Sequence, residues 1–115
     1  MPGSSYVPDR GDLVWLDFDP QAGKEGAELR SALVLSHLDY NHKTGRALFC
    51  LITTQAKGYP FEVALPPSPP VTGVVLADYL RNLDWRSCKA AYKGKAPAAV
   101  LSEVTDKLAA LLEVK

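Results

Sequence analysis

Short segments in which apolar and polar residues alternate, separated by turns that contain glycine or proline, run through most of the chain and constrain its fold. Valine, isoleucine and aromatic residues in such alternation are typical of β-strands that bury one face. Pro20 ends the first segment, and the proline-rich stretch 66–70 cannot donate hydrogen bonds to a sheet. The pattern predicts six strands, the last of them twisted or irregular, over residues 11–19, 31–36, 46–53, 61–65, 72–77 and 84–91.

One helix is predicted near the C-terminal end of the chain. Pro97 is favourable in the first turn of a helix. Six apolar residues then recur at helical spacing and form one stripe: Val100, Leu101, Val104, Leu108, Leu111 and Leu112. The stripe predicts a helix of about four turns that packs on the core. Residues 21–29, which contain two glycines, are predicted to form a loop, and residues 41–45 a turn that ends at Gly45.

Short strands, tight turns and one closing helix favour a mainly β fold, namely a small and partly open β-barrel with a C-terminal helix. A chain of 115 residues has the length of one domain with one core, so residues 1–115 are expected to form a single domain. Its apolar runs are too short to span a bilayer, and it opens on a polar stretch that does not resemble a signal peptide. A cytoplasmic location is therefore expected.

Charge is unevenly distributed, although the formal net charge is zero. Between Arg81 and Lys95, five cations stand against one anion, Asp84. Such a basic stripe can bind phosphates in a protein that is neutral overall, and it can equally be a solvated surface. Cys50 and Cys88 lack the close spacing of a metal or redox pair. A buried thiol is expected at Cys50, because a disulfide would be unusual in the cytosol.

Polar side chains directly follow an apolar strand in the segment 50–63. Two hydroxyls, an amide and a positive charge stand where this strand ends: Thr53, Thr54, Gln55 and Lys57. The hydrogen-bond ladder of a strand holds such side chains in place while a ligand can still reach them, so this segment can bind a polyanion without a metal. Asp17 and Asp19 form a weak metal pair without a third ligand, and no metal or cofactor is expected.

An ordered set of segments covers nearly all of the chain up to about residue 86. The segments are Tyr6-Val7-Pro8-Asp9, 11–20, 30–36, Tyr40-Asn41, Lys43-Thr44-Gly45, Thr53-Thr54-Gln55, 57–63 and Asp84-Trp85-Arg86. In this order they resemble the MazF/PemK-like toxins of bacterial toxin–antitoxin systems. A single Thr-Thr-Gln would mean little, whereas the ordered set is specific, and the predicted C-terminal helix fits the same family.

The resemblance implies an SH3-like barrel, of the type shared by the CcdB, Kid and MazF toxins, that forms a homodimer. It implies a metal-independent endoribonuclease that cuts single-stranded messenger RNA at a short sequence and arrests growth. It also implies neutralisation by a cognate antitoxin, an acidic and partly disordered peptide together with which the toxin binds DNA. No membrane partner is expected.

The resemblance also assigns catalytic roles. Arg30 corresponds to the catalytic arginine of the family, and Thr53 to its catalytic threonine. RNA supplies its own nucleophile, because a 2′-OH can attack the adjacent phosphate and leave a 2′,3′-cyclic phosphate and a 5′-OH. A guanidinium and a hydroxyl can both donate to phosphate oxygens. Asp78 corresponds to the base of one branch of the family, although the arginine two residues earlier in that branch is Leu76 here; a turn residue at a strand end is its alternative role.

Further residues are expected to bind the substrate: Asp17, Glu25, Glu28, Thr54, Gln55, Lys57 and Arg86. Three positions depart from the family pattern, in which proline, glutamine and arginine are usual: Ser31, Tyr79 and Cys88. Ser31 adds a backbone N–H that proline would lack, and Cys88 removes a cation from the groove. None of the three replaces a proposed catalytic group.

Two other functions are compatible with the same barrel. One is a CcdB-like inhibitor of gyrase, but toxins of that type end in Trp-Gly-Ile, whereas this chain ends in Leu112-Glu113-Val114-Lys115. The other is an SH3-like module that binds RNA without cutting it. A gyrase supercoiling assay and the search for RNA cleavage products distinguish these functions from the ribonuclease.

Overall fold

The computed structural model of the protein describes residues 6–18, 29–67 and 70–113. Within these ranges the chain forms six strands and two helices, in the order β1 (Asp12–Asp17), β2 (Leu29–Val34), α1 (Leu38–Thr44), β3 (Arg46–Thr53), β4 (Glu62–Ala64), β5 (Val74–Asp84), β6 (Ala91–Lys95) and α2 (Ala98–Leu112). The strands join into one antiparallel sheet with the order β4-β5-β3-β2-β1-β6. The sheet curls into a half-barrel, so the predicted fold class, mainly β with a C-terminal helix, is confirmed.

Both faces of the sheet are buried, and the alternation of side chains along each strand explains how. On β1, Leu13 belongs to one core and Val14 to the other; on β3, Cys50 and Phe49 divide in the same way. The first core includes residues of α2, among them the fully buried Val104. The second core closes the opposite face of the sheet. Packing on both sides makes the sheet a firm support for the side chains at its strand ends.

Helix α2 confirms the helix predicted from apolar spacing, and it packs on β4 and β5. The apolar stripe reaches the core as far as Leu108, and Val104 is fully buried. Leu111 and Leu112 are 54% and 64% exposed. The prediction that the whole stripe packs on the core is therefore wrong for the last turn, because the core ends before it. In the described part of the chain, no helix is long and apolar enough to cross a membrane.

Helix α1 lies where the sequence pattern predicts only a turn at 41–45. Gly45 ends this helix in the left-handed conformation, with φ 72°, and donates its N–H to the Asn41 carbonyl. Asn41 is fully buried, and its side-chain amide donates to the carbonyls of Pro8 and Ser36 at 2.7 and 3.0 Å. The prediction of a turn is wrong because α1 buries a polar residue, so it carries no apolar stripe that would indicate a helix.

Strand β5 is longer than predicted, and the predicted sixth strand over 84–91 is wrong. The pattern predicts a fifth strand that ends at residue 77, whereas β5 continues to Asp84 and β6 begins at Ala91. A turn separates them because the Asp84 carboxylate accepts hydrogen bonds from the N–H groups of Ser87 and Arg86, both at 3.0 Å. These hydrogen bonds lower the pKa of Asp84 below its usual value of 3.8, and the bond from Ser87 has the largest effect.

The two cysteines are free and buried, which confirms the buried thiol expected at Cys50. Burial raises the pKa of Cys50 to about 12, and it also raises the pKa of Cys88. A thiol that stays protonated at neutral pH is a poor nucleophile. Both cysteines therefore act as small core residues.

Candidate active site

Arg30 and Thr53 lie side by side on neighbouring strands. Strands β2 and β3 pair antiparallel, and the last paired residues are Ser31 and Ile52. Arg30 and Thr53 are the next residues along the two strands, so continuing this register sets them opposite each other, and both line one cavity. Opposed side chains of an antiparallel pair have Cβ atoms about 5 Å apart. The pairing thus places the two residues predicted to be catalytic within reach of one phosphate group.

A bulge in β5 carries Asp78 to the same region. The register of β3 and β5 shifts between Cys50 and Ile52, so that the four residues 76–79 of β5 face a single residue of β3. Extra residues of this kind bend a strand and redirect its side chains. Asp78 and Tyr79 are consequently exposed in the middle of a strand. The alternative role of Asp78, a turn residue at a strand end, is wrong because β5 continues beyond it.

One cavity of about 280 Å³ joins these strands. It is lined by all three residues predicted to be catalytic: Arg30, Thr53 and Asp78. Two of the residues predicted to bind substrate, Gln55 and Lys57, also line it. Apolar, aromatic and acidic side chains complete the walls: Leu51, Tyr59, Phe61, Glu62, Leu76 and Tyr79. Residues that are far apart in the sequence therefore form one site.

The Glu62 carboxylate holds the turn between β3 and β4. It accepts hydrogen bonds from the N–H groups of Lys57 and Gly58, each at 3.0 Å. At the start of the turn, Thr53 Oγ1 accepts the N–H of Gln55 at 3.1 Å. The backbone of the turn is therefore fixed, while the side chain of Lys57 is exposed at the cavity.

Among the described residues that line the cavity, the charged ones are two cations, Arg30 and Lys57, and two carboxylates, Asp78 and Glu62. Glu62 is engaged by the turn, whereas Asp78 is exposed and accepts no hydrogen bond from the described part of the chain. Its negative charge adds to the effect of burial in raising the pKa of Cys50 to about 12. The cavity thus combines cations for a phosphate with one carboxylate available to accept a proton.

Arg30 also lines a second cavity, of about 250 Å³, together with Trp15 and Thr54. The ammonium group of Lys93 lies 4.7 Å from the centroid of the Trp15 ring. Thr53 lines the first cavity and Thr54 the second, as expected where successive side chains of an extended chain point to opposite sides. Arg30 is therefore shared by the two cavities.

Gly73, which the sequence patterns do not single out, positions the end of β3. Its φ is 116°, and a Cβ atom here would lie 2.2 Å from the carbonyl oxygen of Thr53 and 3.1 Å from Thr54 Cα. Glycine is the residue that permits both this conformation and this approach. A glycine inside a strand pattern is the sequence signal of a close backbone contact.

Two residues predicted to bind substrate do not line either cavity. Asp17 is 7% exposed, and its N–H donates to the Cys88 carbonyl at 2.7 Å. Arg86 is exposed on the turn after β5, with its guanidinium 4.8 Å from the centroid of the Trp85 ring. Three acidic residues considered from the sequence lie outside the described residues: Asp19, Glu25 and Glu28.

Comparison with known proteins identifies the family. A family model described as a PemK-like, MazF-like toxin of type II toxin–antitoxin systems matches residues 9–112. The chain belongs to this family. The endoribonuclease toxin MazF of Escherichia coli strain K12 is 47% identical over 109 residues, which are 95% of this chain and 97% of that protein.

Solved structures of MazF-like toxins have the same fold. MazF from Deinococcus radiodurans, in its form I crystal structure, superposes with a TM-score of 0.86 at 57% identity, over 95% of this chain and 99% of that one. MazF in the form II MazE–MazF structure from the same organism gives a TM-score of 0.87 at 51% identity, over 96% and 100%. The family predicted from the ordered segments is thereby confirmed.

Several residues that carry the resemblance to MazF-like toxins hold the fold and lie outside the cavities. Trp85 donates its indole N–H to the buried carbonyl of Asn41 at 2.8 Å. The Asp12 carboxylate accepts hydrogen bonds from the Tyr6 hydroxyl and from Lys95 Nζ, both at 2.7 Å. The Asp12 contacts join the N-terminal segment, β1 and β6, and the Trp85 contact joins the turn after β5 to α1. Much of the family signature therefore specifies the barrel.

Proposed function

We propose that this protein is a toxin that cuts single-stranded RNA without a metal ion. The observation that carries the proposal is the cavity that Arg30 on β2, Thr53 at the end of β3 and Asp78 on the bulge of β5 line together. The Escherichia coli relative is named an endoribonuclease toxin. A site with two cations, a hydroxyl and a carboxylate fits that chemistry.

The proposed reaction needs no external nucleophile. The ribose 2′-oxygen forms a bond to the neighbouring phosphorus, while the bond from phosphorus to the 5′-oxygen of the next nucleotide breaks. The 2′-OH loses one proton, and the departing 5′-oxygen gains one. The products are a 2′,3′-cyclic phosphate and a 5′-OH. The protein has to hold the reacting oxygens in line, stabilise the charged phosphorane and accept a proton.

Arg30 and Thr53 stabilise the phosphorane in this proposal. The planar guanidinium presents paired N–H donors that match two phosphate oxygens. The Arg30 guanidinium presents N–H donors and no acceptor, so it serves as a charge and not as a base. Thr53 Oγ1 accepts a hydrogen bond from the N–H of Gln55 through one of its lone pairs. Its own O–H is therefore available to donate to the phosphate.

Asp78 accepts the proton of the 2′-OH in this proposal. It lines the same cavity as Arg30 and Thr53, and its carboxylate takes no hydrogen bond from the described residues. Glu62, the other carboxylate in the cavity, is already bound by the two N–H groups of the turn. A carboxylate that is open to solvent and close to the phosphate site is the better general base.

Single-stranded RNA is the proposed substrate because Arg30 borders two cavities. A phosphate held at Arg30 leads one neighbouring nucleotide into the cavity with Gln55 and Lys57, and the other into the cavity with Thr54. Nucleotides have to leave the base stack to enter such cavities, which a single strand permits. Contacts by Lys57 and Arg86 to the RNA backbone remain part of the proposal.

We further propose that residues 1–115 act as one domain in the cytoplasm, as a homodimer that an acidic, partly disordered antitoxin peptide neutralises. A MazE–MazF complex is described for the Deinococcus radiodurans relative. Arg30 and Lys57 attract acidic side chains as they attract phosphates, so the peptide and RNA compete for one site. Independent and simultaneous binding of both would contradict this part of the proposal.

Cleavage of a long single-stranded transcript in EDTA tests the proposed function. The variants are Arg30→Ala and, as a matched control, Arg46→Ala. Arg46 is exposed at the opposite end of β3 from Thr53, and its guanidinium donates hydrogen bonds to Asn82. Wild type and Arg46→Ala are expected to cut the transcript, and Arg30→Ala to cut it at least about a hundredfold more slowly, the loss typical of removing one charge-stabilising donor. Absence of cleavage by wild type, or equal rates for wild type and Arg30→Ala, would contradict the proposal.

The same experiment separates the ribonuclease from the two other functions compatible with the barrel. A CcdB-like protein would leave the RNA intact and block gyrase supercoiling. An inactive RNA-binding module would bind the transcript without products. The Escherichia coli relatives are named endoribonucleases, so the comparisons favour the ribonuclease.

A further inference from the structure

Tyr79 is an exposed aromatic residue in the wall of the candidate active site. The bulge that redirects Asp78 also carries Tyr79, and 38% of this residue is exposed. Tyr79 lines the same cavity as Arg30 and Thr53. Aromatic rings beside a cationic groove are a common element of sites that bind single-stranded nucleic acids. Tyr79 is therefore placed where a ligand can meet its ring.

One aromatic side chain packs against the Tyr79 ring. The centroid of the Phe18 ring lies 6.0 Å from that of Tyr79, in an edge-on contact with 63° between the planes. The Arg81 guanidinium lies in turn 5.8 Å from the centroid of Phe18. A ring that is fixed before binding loses less conformational entropy when a ligand stacks on it. The contact with Phe18 therefore restricts the positions of the Tyr79 ring before a ligand binds.

Two other aromatic residues, Tyr59 and Phe61, line the cavity, but their rings are stacked on each other. The centroids of Tyr59 and Phe61 lie 5.2 Å apart, with 22° between the ring planes. Among the described residues, no aromatic ring is stacked on the face of Tyr79. Tyr79 therefore offers a ring face to a ligand, whereas Tyr59 and Phe61 are stacked on each other.

We infer that Tyr79 stacks on the nucleobase next to the scissile phosphate. The inference rests on the proposed ribonuclease function and adds a base-binding site to it. A nucleotide is the ligand that presents a phosphate to Arg30 and Thr53 and a flat ring to the adjoining wall. Every nucleobase has a π-face, and loss of one stacking side chain weakens binding by about tenfold or more.

Binding of an RNA analogue that cannot be cut tests this inference. The probe is a fluorescein-labelled, single-stranded oligonucleotide of randomised sequence with 2′-O-methyl groups throughout, which lacks the nucleophile. Fluorescence anisotropy gives the Kd for wild type, Tyr79→Ala, Tyr79→Phe and the control Tyr40→Ala. Tyr40 is 41% exposed and lies on α1, outside both cavities.

The expected result is a Kd about tenfold higher for Tyr79→Ala, with Tyr79→Phe and Tyr40→Ala close to wild type. Equal binding by wild type and Tyr79→Ala, or no binding by wild type, would overturn the inference. So would a loss in Tyr79→Phe as large as that in Tyr79→Ala, because the hydroxyl would then be the group that matters.

Cleavage of an unmodified transcript by the same proteins separates this inference from the proposed function. The expected result is a KM about tenfold higher for Tyr79→Ala with little change in kcat, since stacking acts on binding. Failure of wild type to cut, with the tenfold difference in Kd intact, would contradict the ribonuclease and support the stacking. Cleavage by wild type with equal Kd values would contradict the stacking alone.

Discussion

Replacing Gly73 by alanine tests the geometry of the candidate site without removing any of its functional groups. The new Cβ atom would lie 2.2 Å from the carbonyl oxygen and 2.8 Å from the carbonyl carbon of Thr53, both of them backbone atoms. Ordinary contact begins at 3.4 Å. The end of β3 therefore has to move by roughly 1 Å, because a backbone cannot turn aside as a flexible side chain can.

Two costs combine in the Gly73→Ala variant. A φ of 116° is strained for alanine, which costs about 1–2 kcal/mol. Overpacking against the Thr53 carbonyl adds about 1–3 kcal/mol. We expect the free energy of unfolding to fall by about 2–5 kcal/mol. A displacement of about 1 Å beside Thr53 is expected to lower kcat/KM about a hundredfold, because catalysis depends on alignment.

Gly45→Ala is the matched control. Gly45 also has a positive φ, of 72°, but a Cβ atom at this position would have no neighbour within 4 Å, and Gly45 does not line either cavity. We expect this variant to lose about 1 kcal/mol and to cut RNA at the wild-type rate. Urea unfolding and cleavage kinetics, at a temperature where all three proteins are folded, measure both effects. If Gly73→Ala matched Gly45→Ala in unfolding midpoint and wild type in cleavage rate, the reasoning would be refuted.

Three further predictions follow from named contacts. Thr53→Val is expected to lower kcat about a hundredfold and Thr54→Val to lower it less, because Thr53 lines the cavity with Asp78; equal losses in cleavage assays would contradict the assignment. Asn41→Leu leaves the buried Pro8 carbonyl and the partly buried Ser36 carbonyl without their donor and is expected to lower the free energy of unfolding, measured with urea, by about 2–5 kcal/mol. A loss well below about 1 kcal/mol would contradict this. Because the folded pKa of Asp84 lies below 3.8, its carboxylate stabilises the fold above that pH, and this contribution disappears as the pH falls through the folded pKa. Asp84→Asn should therefore unfold with a weaker acid dependence than wild type, and identical acid curves would refute the role of the Asp84 turn.

Alternation and helical spacing predicted the elements that are regular. The third predicted strand, 46–53, has the bounds of β3, and the predicted C-terminal helix is α2. Both elements bury apolar side chains at the period of their backbone, so their residues report the structure directly. The mainly β fold with a closing helix followed from these patterns.

The wrong predictions have physical causes of two kinds. In α1 the buried residue is the polar Asn41, so no apolar stripe marks the helix. In β5 the four-residue bulge at 76–79 interrupts the alternation, so the pattern ends the strand at the point where its side chains are redirected. The bulge in β5 is also the feature that places Asp78 and Tyr79 in the candidate site.

The candidate site could not be predicted from residue patterns alone, because they do not show which strands pair or in which register. Arg30 reads as a surface cation by itself, and only the family resemblance indicated a catalytic role. Its position opposite Thr53 follows from the register of β2 and β3. Gly73, which directly precedes β5, lies against the backbone of Thr53 at the end of β3. Tyr79 lines the same cavity as Thr53 because the bulge in β5 exposes it. Such tertiary contacts have no local signature beyond a glycine in a strand.

The chemical nature of the product ends shows whether the cavity of Arg30, Thr53 and Asp78 promotes attack by the RNA's own 2′-OH. Mass spectrometry of wild-type digests made in EDTA identifies the groups on both sides of each cut. We expect a 2′,3′-cyclic phosphate on one product and a 5′-OH on the other, with no cut where hydrogen replaces the 2′-OH of the cleaved nucleotide. Ends that carry a 3′-OH and a 5′-phosphate, or equal cutting of the 2′-deoxy-substituted strand, would contradict it.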